Sequence, residues 1–444
     1  MSEARNEAIT QETKLQIAEM RALGWYHSLE LPSGEILPGL LSVERLRARL
    51  AQYQIPSDLR GKRVRDIGAW DGFYTFEMER RGAHVVALDL FRNEKFLQAC
   101  EMQNSKAEYV VGDICRLSSK DLGRFDIVLF FGVLYHVKHP VLALENVCSM
   151  TKDTAYVESY VIDDGTDLDA VPILEFYERS ELRGQFDNWV GPNVPCLMAM
   201  ARTAGFAEVT YEGNLSTRAH ITCRRKWSTA AGPDPAPQIL CVENSITRDH
   251  DYSTTRDDYF SIYFRSATPG LGCDDVFVEL GPYAVRPGEV VDAGGDGWLA
   301  VCKLPPGIDA QWHTLHLHVR RSQWSNSLRI PVDVPAEDPG GLGRPGLHVN
   351  LVTDGKTWDR WRVKTGGDSS LSIWSRGIPD GCEMKDVLVL LNGLNLPAIY
   401  VSSADAEGLK QVNATLPAGL KPGKVKLRLQ CAGDISAAVD VELV

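Results

Sequence analysis

The sequence predicts one α/β domain followed by two all-β sandwich modules. In the first half, short apolar runs alternate with helix-like patterns, which is typical of a parallel sheet covered by helices on both faces. In the second half, two segments of about 100 residues each resemble one another. Stretches rich in proline and glycine separate these parts, at residues 228–237 and 334–345. We therefore divide the 444 residues into domains 1–227, 238–334 and 345–444.

The first segment has the order of elements expected of a Rossmann-like domain. Two amphipathic helices are predicted at 10–23 and 42–53, and the first of them would cover a pocket as a lid. Short apolar runs follow, with helical patterns between them, at 85–88, 109–111, 127–131 and 156–162. Residues 125–131 are apolar except for Asp126, which indicates a central strand of a parallel sheet.

The two C-terminal segments form an internal repeat. Residues 261–265 match residues 372–376, and 275–276 match 386–387, both at an offset of 111. Each unit consists of short alternating strands with turn residues between them, which predicts an immunoglobulin-like sandwich. Such repeats could bind a glycan or a protein partner, or could hold two chains together as a homodimer.

Composition disfavours several classes of partner. The net charge is −12, whereas a protein that binds a phosphate backbone usually carries a basic patch. The ten cysteines include no C-x-x-C pair, which predicts reduced thiols and no metal site. Residues 1–20 lack the apolar run of a signal peptide, and 127–135 is too short to span a bilayer. We predict a cytoplasmic protein that does not associate with membranes.

The strongest motif is Asp-x-Gly-x-x-x-Gly at the end of the first predicted strand. Asp66, Gly68 and Gly72 form it, and a helical pattern follows. Trp70 stands where a dinucleotide-binding fingerprint has its second glycine, so a pyrophosphate is disfavoured and a cofactor without phosphates fits better. Arg65 is unusual in a buried strand, and we expect it to pair with an acidic residue, with a ligand contact as the alternative.

Further candidate cofactor residues close the next strands. Asp89 lies 21 residues after Gly68, the separation expected of a carboxylate that binds ribose hydroxyls. Asp113, beside Ile114, suits a hydrogen bond to an adenine amine. Gly132 and Tyr135 follow the central strand. The carboxyl ends of parallel strands share one edge of the sheet, so these residues should meet in one crevice.

These motifs resemble class I methyltransferases that use S-adenosylmethionine (SAM). Residues 24–32, 132–136 and 191–197, with 204–206, are more specifically similar to the wobble-uridine tRNA methyltransferase-like family. The resemblance covers residues 20–227 and implies SAM as the cofactor. Many sequences of this type methylate small molecules or glycans. In the tRNA enzymes the donor is a carboxylated SAM, and the resemblance implies that Tyr135 matches a tyrosine contacting its carboxylate.

Methyl transfer needs aligned reactants and, for a hydroxyl acceptor, a general base. His136 and His27 are the candidate bases, with Tyr135 beside them. Packing or a simple hydrogen bond is an equally good interpretation of each histidine. The candidate acceptor-binding residues are mainly aromatic, and they are Trp25, Tyr26, His27, Tyr160 and Tyr177.

Three functions remain open from the sequence. The first is an enzyme that methylates a small-molecule or glycan acceptor. The second is a tRNA wobble-uridine-modifying methyltransferase, which requires a basic face near the strand ends. The third is a binding or scaffold protein that acts through its sandwich repeats.

Overall fold

The computed structural model describes residues 21, 24–247, 250–335, 347–366, 369–392, 394–405, 408–431, 434–436 and 438–444. They fall into two compact units, one of residues 1–227 with 305–307, the other of 228–304 with 308–444. The predicted helix 10–23 lies outside the described residues, apart from position 21, as does most of the stretch 334–345. No helix in the described ranges is long and apolar enough to cross a membrane.

The first unit contains thirteen strands and six α-helices in its described part. The strands are β1 (Trp25–His27), β2 (Leu29–Glu30), β3 (Ile36–Leu37), β4 (Gly39–Leu41), β5 (Arg63–Ile67), β6 (His84–Asp89), β7 (Glu108–Val111), β8 (Phe125–Phe131), β9 (Thr151–Tyr160), β10 (Leu174–Phe176), β11 (Val190–Pro192), β12 (Glu208–Leu215) and β13 (Arg218–Arg224). The helices are α1 (Val43–Leu50), α2 (Phe73–Arg80), α3 (Glu94–Gln103), α4 (Ser119–Leu122), α5 (Pro140–Met150) and α6 (Val194–Thr203).

Seven strands form the central sheet in the order β12-β13-β9-β8-β5-β6-β7. The five strands from β9 to β7 are parallel, and β13 and β12 extend the sheet in antiparallel fashion. The predicted Rossmann-like α/β fold is therefore confirmed. The carboxyl ends of β5, β6, β7, β8 and β9 lie along one edge, and the loops that follow them build the site described below.

The chain preceding this sheet is made of short strands. In the described residues before α1, β1 pairs with β4 and β2 pairs with β3. Ser42 caps α1 by accepting a hydrogen bond from the backbone N–H of Arg45 at 3.3 Å. The predicted helix 42–53 ends early, at Leu50, and the chain turns so that Tyr53 enters the core, where its hydroxyl donates to the carbonyl of Val157 at 2.7 Å.

Arg65 departs from the predicted pairing with an acid. Its side chain is fully buried in β5, and none of its three guanidinium nitrogens has a hydrogen-bond partner in the described residues. The guanidinium carbon lies 5.3 Å from the ring centroid of Phe125 on β8. Burial lowers the pKa of Arg65 to about 10. The structure therefore places an uncompensated polar group in the middle of the sheet.

We expect Arg65→Met to stabilise the protein, because it removes a buried charge without emptying the space of the side chain. The rise in unfolding free energy should be about 1–3 kcal/mol. Calorimetry of the full chain would show it as a higher Tm of one transition. Arg63→Met is the matched control on the same strand, because Arg63 is exposed and should change stability by less than about 0.5 kcal/mol. A lower Tm for Arg65→Met would contradict the prediction.

The second unit contains only strands and short 3₁₀ turns in its described part. Its first module has strands β14 (Gln238–Asn244), β15 (Tyr259–Arg265), β16 (Val276–Leu280), β17 (Tyr283–Val285), β18 (Pro287–Gly294), β19 (Gly297–Lys303), β20 (Gln311–Val319) and β21 (Leu328–Val332). Two four-stranded sheets, β14-β15-β19-β18 and β17-β16-β20-β21, enclose one apolar core. The module is a β-sandwich, as predicted.

The second module repeats this plan with one difference. Its strands are β22 (His348–Asp354), β23 (Arg362–Val363), β24 (Ser370–Arg376), β25 (Val387–Leu391), β26 (Leu394–Val401), β27 (Lys410–Thr415), β28 (Gly423–Cys431), β29 (Asp434–Ile435) and β30 (Val439–Leu443). The long strand β26 pairs with β25 at one end and β27 at the other, which joins both layers into one nine-stranded sheet.

Candidate functional site

A cavity of about 740 Å³ opens at the carboxyl edge of the parallel sheet. Its walls come from the ends of β5, β6, β7, β8 and β9, from β1, and from the loop 182–189. Small-molecule pockets in proteins have volumes of about 300–1,000 Å³, so this cavity can hold a cofactor together with a small reactant.

Gly68 forms part of the cavity wall directly after β5. Its φ is +76°, and a β-carbon added there would collide with Cγ2 of Val133. Trp70 also has a positive φ of 52°, and its half-exposed side chain lines the cavity without closing it. Only a glycine fits at position 68 without displacing the loop after β8.

Asp66 and Gly72 lie behind the cavity wall, not in it. Asp66 is fully buried and accepts a hydrogen bond from the hydroxyl of Thr75 at 2.6 Å, while burial raises its pKa to about 6. Gly72 precedes α2 with φ +93°, and a β-carbon there would come within 2.6 Å of the ring of Phe76. Neither residue lines the cavity, and both position the loop that carries Gly68, so their predicted contacts with the cofactor stay predictions.

Asp89 and Asp113 lie in the same cavity wall. The carboxylate of Asp89 accepts backbone N–H bonds from Trp70 and Leu90, each at 2.8 Å, and burial raises its pKa. Asp113 accepts from the backbone N–H of Cys115 at 2.8 Å, and Ile114 beside it is buried and lines the cavity. Two carboxylates are therefore held rigidly at one end of the cavity by the backbone that surrounds them.

The loop after β8 brings Gly132, Tyr135 and His136 to the cavity. Residues Leu134–His136 form a 3₁₀ turn. Burial raises the pKa of the Tyr135 hydroxyl to about 12. Nδ1 of His136 lies 3.0 Å from the carbonyl oxygen of Asp187. Because a carbonyl only accepts, that nitrogen carries the proton and Nε2 is left basic.

His27 reaches the cavity from the N-terminal strand β1. Its Nδ1 makes a short contact with Oδ1 of Asp71, a carboxylate that is fully buried. The other oxygen of Asp71 accepts the backbone N–H groups of Tyr26 and His27, at 2.9 and 3.0 Å. Asp71 thus fixes the position of β1 and the tautomer of His27, whose Nε2 is not engaged by that carboxylate.

The predicted acceptor residues divide into two groups. Tyr26 and Tyr160 line the cavity. Trp25 is buried and does not line it. Tyr177 is also outside the lining, and its hydroxyl donates to a carboxylate oxygen of Glu175 at 2.8 Å. Trp25 and Tyr177 therefore lie outside the cavity lining, and the acceptor contacts predicted for them stay predictions.

The cavity wall contains charged residues that were not predicted, and two of them, Glu158 and Arg218, face each other. Nη1 of Arg218 lies 3.4 Å from Oε1 of Glu158, and neither atom has a hydrogen-bond partner in the described residues. The guanidinium of Arg218 also lies 4.5 Å from the ring centroid of Tyr135. The sequence did give one indication that Glu158 is functional, because it is the only charged residue in the otherwise largely apolar run 156–162. Nothing in the sequence connects it with Arg218, which arrives from the last strand of the sheet.

Comparisons with known proteins agree with this geometry. Residues 65–157 match the model of a family described as a methyltransferase domain. A tRNA U34 carboxymethyltransferase of Pseudomonas fluorescens is 28% identical over 162 residues, which are 34% of this chain and 48% of that protein. One from Syntrophotalea carbinolica is 28% identical over 200 residues, 43% of this chain and 55% of that protein. The chain spans about half the length of the curated relatives it matches.

Among solved structures, the N-terminal domain of EvdMO1 with S-adenosylhomocysteine (SAH) bound is similar, with a TM-score of 0.38 and 21% identity. The match covers 50% of this chain and 99% of that one. The family match begins within β5, covers β6, β7 and β8, and ends within β9, and these strands contribute to the cavity wall. Residues 65–157 are thus similar to a methyltransferase domain, in agreement with the resemblance found in the sequence.

Proposed function

We propose that the chain transfers the methyl group of SAM to a hydroxyl of a small-molecule or glycan acceptor, and that it does so in the cytoplasm. The observation that carries this proposal is a cavity of about 740 Å³ that joins Gly68, Asp89 and Asp113 to a second group of polar side chains. The roles given below to individual residues, and the division of the second unit into modules 238–334 and 345–444, are part of the same proposal.

The donor fits the end of the cavity at Gly68, Asp89 and Asp113. When bound, SAM supplies a methyl group that its sulfonium already makes electrophilic. Asp89 has two backbone N–H bonds on its carboxylate and keeps lone pairs for ribose hydroxyls. Asp113 is placed to accept from an adenine amine, with Ile114 against the ring. Trp70 leaves no close backbone approach for a pyrophosphate, which suits a cofactor without one.

His27 acts in this proposal as the general base. Asp71 holds its Nδ1–H, so that Nε2 can take the proton of an acceptor hydroxyl as the oxygen attacks the methyl group. His136 also has a free Nε2, but it is partly exposed, and its Nδ1 faces the backbone carbonyl and the exposed carboxylate of Asp187, at 3.0 and 3.5 Å. The buried carboxylate of Asp71 fixes the ring of His27 in one orientation, whereas the carboxylate near His136 is exposed, and this favours His27 over His136.

Glu158 and Arg218 form the acceptor-binding wall. The carboxylate can only accept and the guanidinium can only donate, so neighbouring hydroxyls of one acceptor satisfy both at once. Both groups are nearly buried, with 4% and 13% of the side chains exposed, and hydroxyls of an acceptor would supply the hydrogen bonds that the two facing atoms lack in the described residues. The rings of Tyr26, Tyr135 and Tyr160 add flat surfaces of the kind that pack against a sugar or an aromatic acceptor.

The experiment is SAH formation by the purified full chain with a panel of monosaccharides, nucleotide-activated sugars and phenols. We expect acceptor-dependent turnover that Glu158→Gln reduces at least about tenfold, with the affinity for SAM unchanged. Absence of SAM binding at millimolar concentration would overturn the assignment. If Glu158→Gln leaves turnover unchanged, the chain is still a methyltransferase, but Glu158 does not bind the acceptor.

A second candidate is methyl transfer to tRNA, because the curated relatives are named as tRNA-modifying enzymes. The net charge of −12 works against binding to a phosphate backbone. Retardation of bulk tRNA at low salt, lost steeply as salt rises, would favour this candidate. No retardation would leave the small-molecule or glycan acceptor.

A further inference from the structure

Two cysteine side chains meet in the second sandwich module. The thiol of Cys431 donates to Sγ of Cys382, with the sulfurs 3.1 Å apart. Cys431 is the last residue of β28 and is buried, whereas Cys382 is partly exposed in the loop before the turn 384–386. All ten cysteines lie in described parts of the chain, and none of them forms a disulfide there.

The distance between the two sulfurs is only about 1 Å longer than a disulfide bond. Carbon atoms in contact are about 3.5–4.0 Å apart, and sulfur is larger than carbon, so these thiols lie inside ordinary contact distance. A disulfide has an S–S length of about 2.03–2.05 Å, which the pair would reach by a movement of roughly 1 Å. The exposed side of Cys382 can absorb that movement without disturbing the core.

The first module ties the corresponding loop and strand end by a different bond. There, Nε of Arg320, just after β20, donates to Oδ1 of Asp275 at 2.9 Å. Val276 pairs with Val319 in the first module as Val387 pairs with Cys431 in the second. In both modules, therefore, the loop before one strand lies close to the end of the strand that pairs with it: the loop before β16 lies near the end of β20, and the loop before β25 lies near the end of β28. One module joins them by an ion pair and the other presents two thiols.

We propose that Cys382 and Cys431 are a redox modification site that a low-molecular-weight disulfide, such as glutathione disulfide, converts into an intramolecular disulfide. The thiolate of Cys382 attacks the small disulfide and releases one thiol. Cys431 then loses its proton and attacks Sγ of Cys382, which releases the second thiol. The two protein thiols are oxidised, and the small disulfide is reduced to two thiols.

The order of these steps follows from exposure. Cys382 is the partner that solvent reaches, so it meets the oxidant first. Burial raises the pKa of the Cys431 thiol, with the neighbouring Cys382 adding to the rise, so Cys431 reacts only with the sulfur beside it. The bond formed closes a loop between positions 49 residues apart and ties the start of β25 to the end of β28.

The test is treatment of the full chain with glutathione disulfide, followed by alkylation of the remaining thiols and peptide mass spectrometry. We expect a peptide linked through Cys382 and Cys431, with eight of the ten cysteines alkylated. One thermal transition should rise by roughly 10 °C, because a closed loop of this length restricts the unfolded chain.

Cys273→Ser is the matched control, because Cys273 is the partly exposed cysteine of the corresponding loop in the first module. This variant should still form the linked peptide, whereas Cys382→Ser should keep Cys431 alkylatable and show no rise in Tm. The proposal is overturned if wild-type chain keeps all ten thiols, stops at a glutathione adduct on Cys382, or links a different pair.

Discussion

Replacing His27 by glutamine should lower kcat for methyl transfer about 10²- to 10⁴-fold, the range that a positioned general base contributes. The expected loss follows from the contact between Nδ1 of His27 and the buried carboxylate of Asp71, which leaves Nε2 as the basic nitrogen. Asp71→Asn should cost a similar factor, because the amide can present its own donor to Nδ1 and disturb the tautomer. The measurement is SAH formation at saturating SAM and acceptor.

His136→Gln is the matched variant, because His136 lines the same cavity and also has Nδ1 held by an oxygen. We expect it to lower kcat by less than about tenfold, since its ring is partly exposed and adjoins no buried carboxylate. The affinity for SAM should stay within about threefold of wild type in each variant. A larger loss for His136→Gln than for His27→Gln would reverse the two roles.

Replacing Asp89 by alanine should weaken the binding of SAM by roughly 100-fold. A hydrogen bond to a charged group contributes about 1.5–3 kcal/mol, and about 2.7 kcal/mol corresponds to a factor of 100 in Kd. Asp89 is held toward the cavity by the N–H groups of Trp70 and Leu90, so its ribose-binding oxygens need no rearrangement. Isothermal titration calorimetry with SAH measures the change directly.

Asp169→Ala is the control for this measurement, because Asp169 is an exposed carboxylate outside the cavity lining. It removes the same charge from the chain and should leave the Kd for SAH unchanged. If both variants bind SAH as wild type does, Asp89 does not contact the cofactor and the orientation proposed for SAM is wrong.

Local sequence patterns were sufficient to predict the features that depend on residues close together in the chain, such as individual strands, the glycine turn and the repeat. The run 125–131 became the central strand β8 because a strand covered on both faces has to be apolar throughout. The sharp turn at Gly68 was predictable from the motif, because glycine adopts a positive φ readily. In the structure, a β-carbon at this position would also collide with Val133. The recurrence of 261–265 at 372–376 likewise predicted two similar sandwiches, as β15 and β24 show.

The same reasoning misplaced residues whose direction depends on the rest of the fold. Asp66 belongs to the motif, yet its side chain points to Thr75 behind the cavity wall. Trp25 and Tyr26 are neighbours, but alternation along β1 buries the first and exposes the second. Arg65 was expected to find an acidic partner, and the sheet gives it only the face of Phe125.

The sequence by itself determined the order of strands and helices, the glycine turn, and the carboxylates that close successive strands, because each depends on spacing along the chain. Only the tertiary structure decided which charges meet. Asp71 and His27 are 44 residues apart, and Arg218 joins Glu158 from the last strand of the sheet. Such pairs form because sheet pairing and loop closure bring distant segments together, and single-sequence periodicity carries no information about that distance.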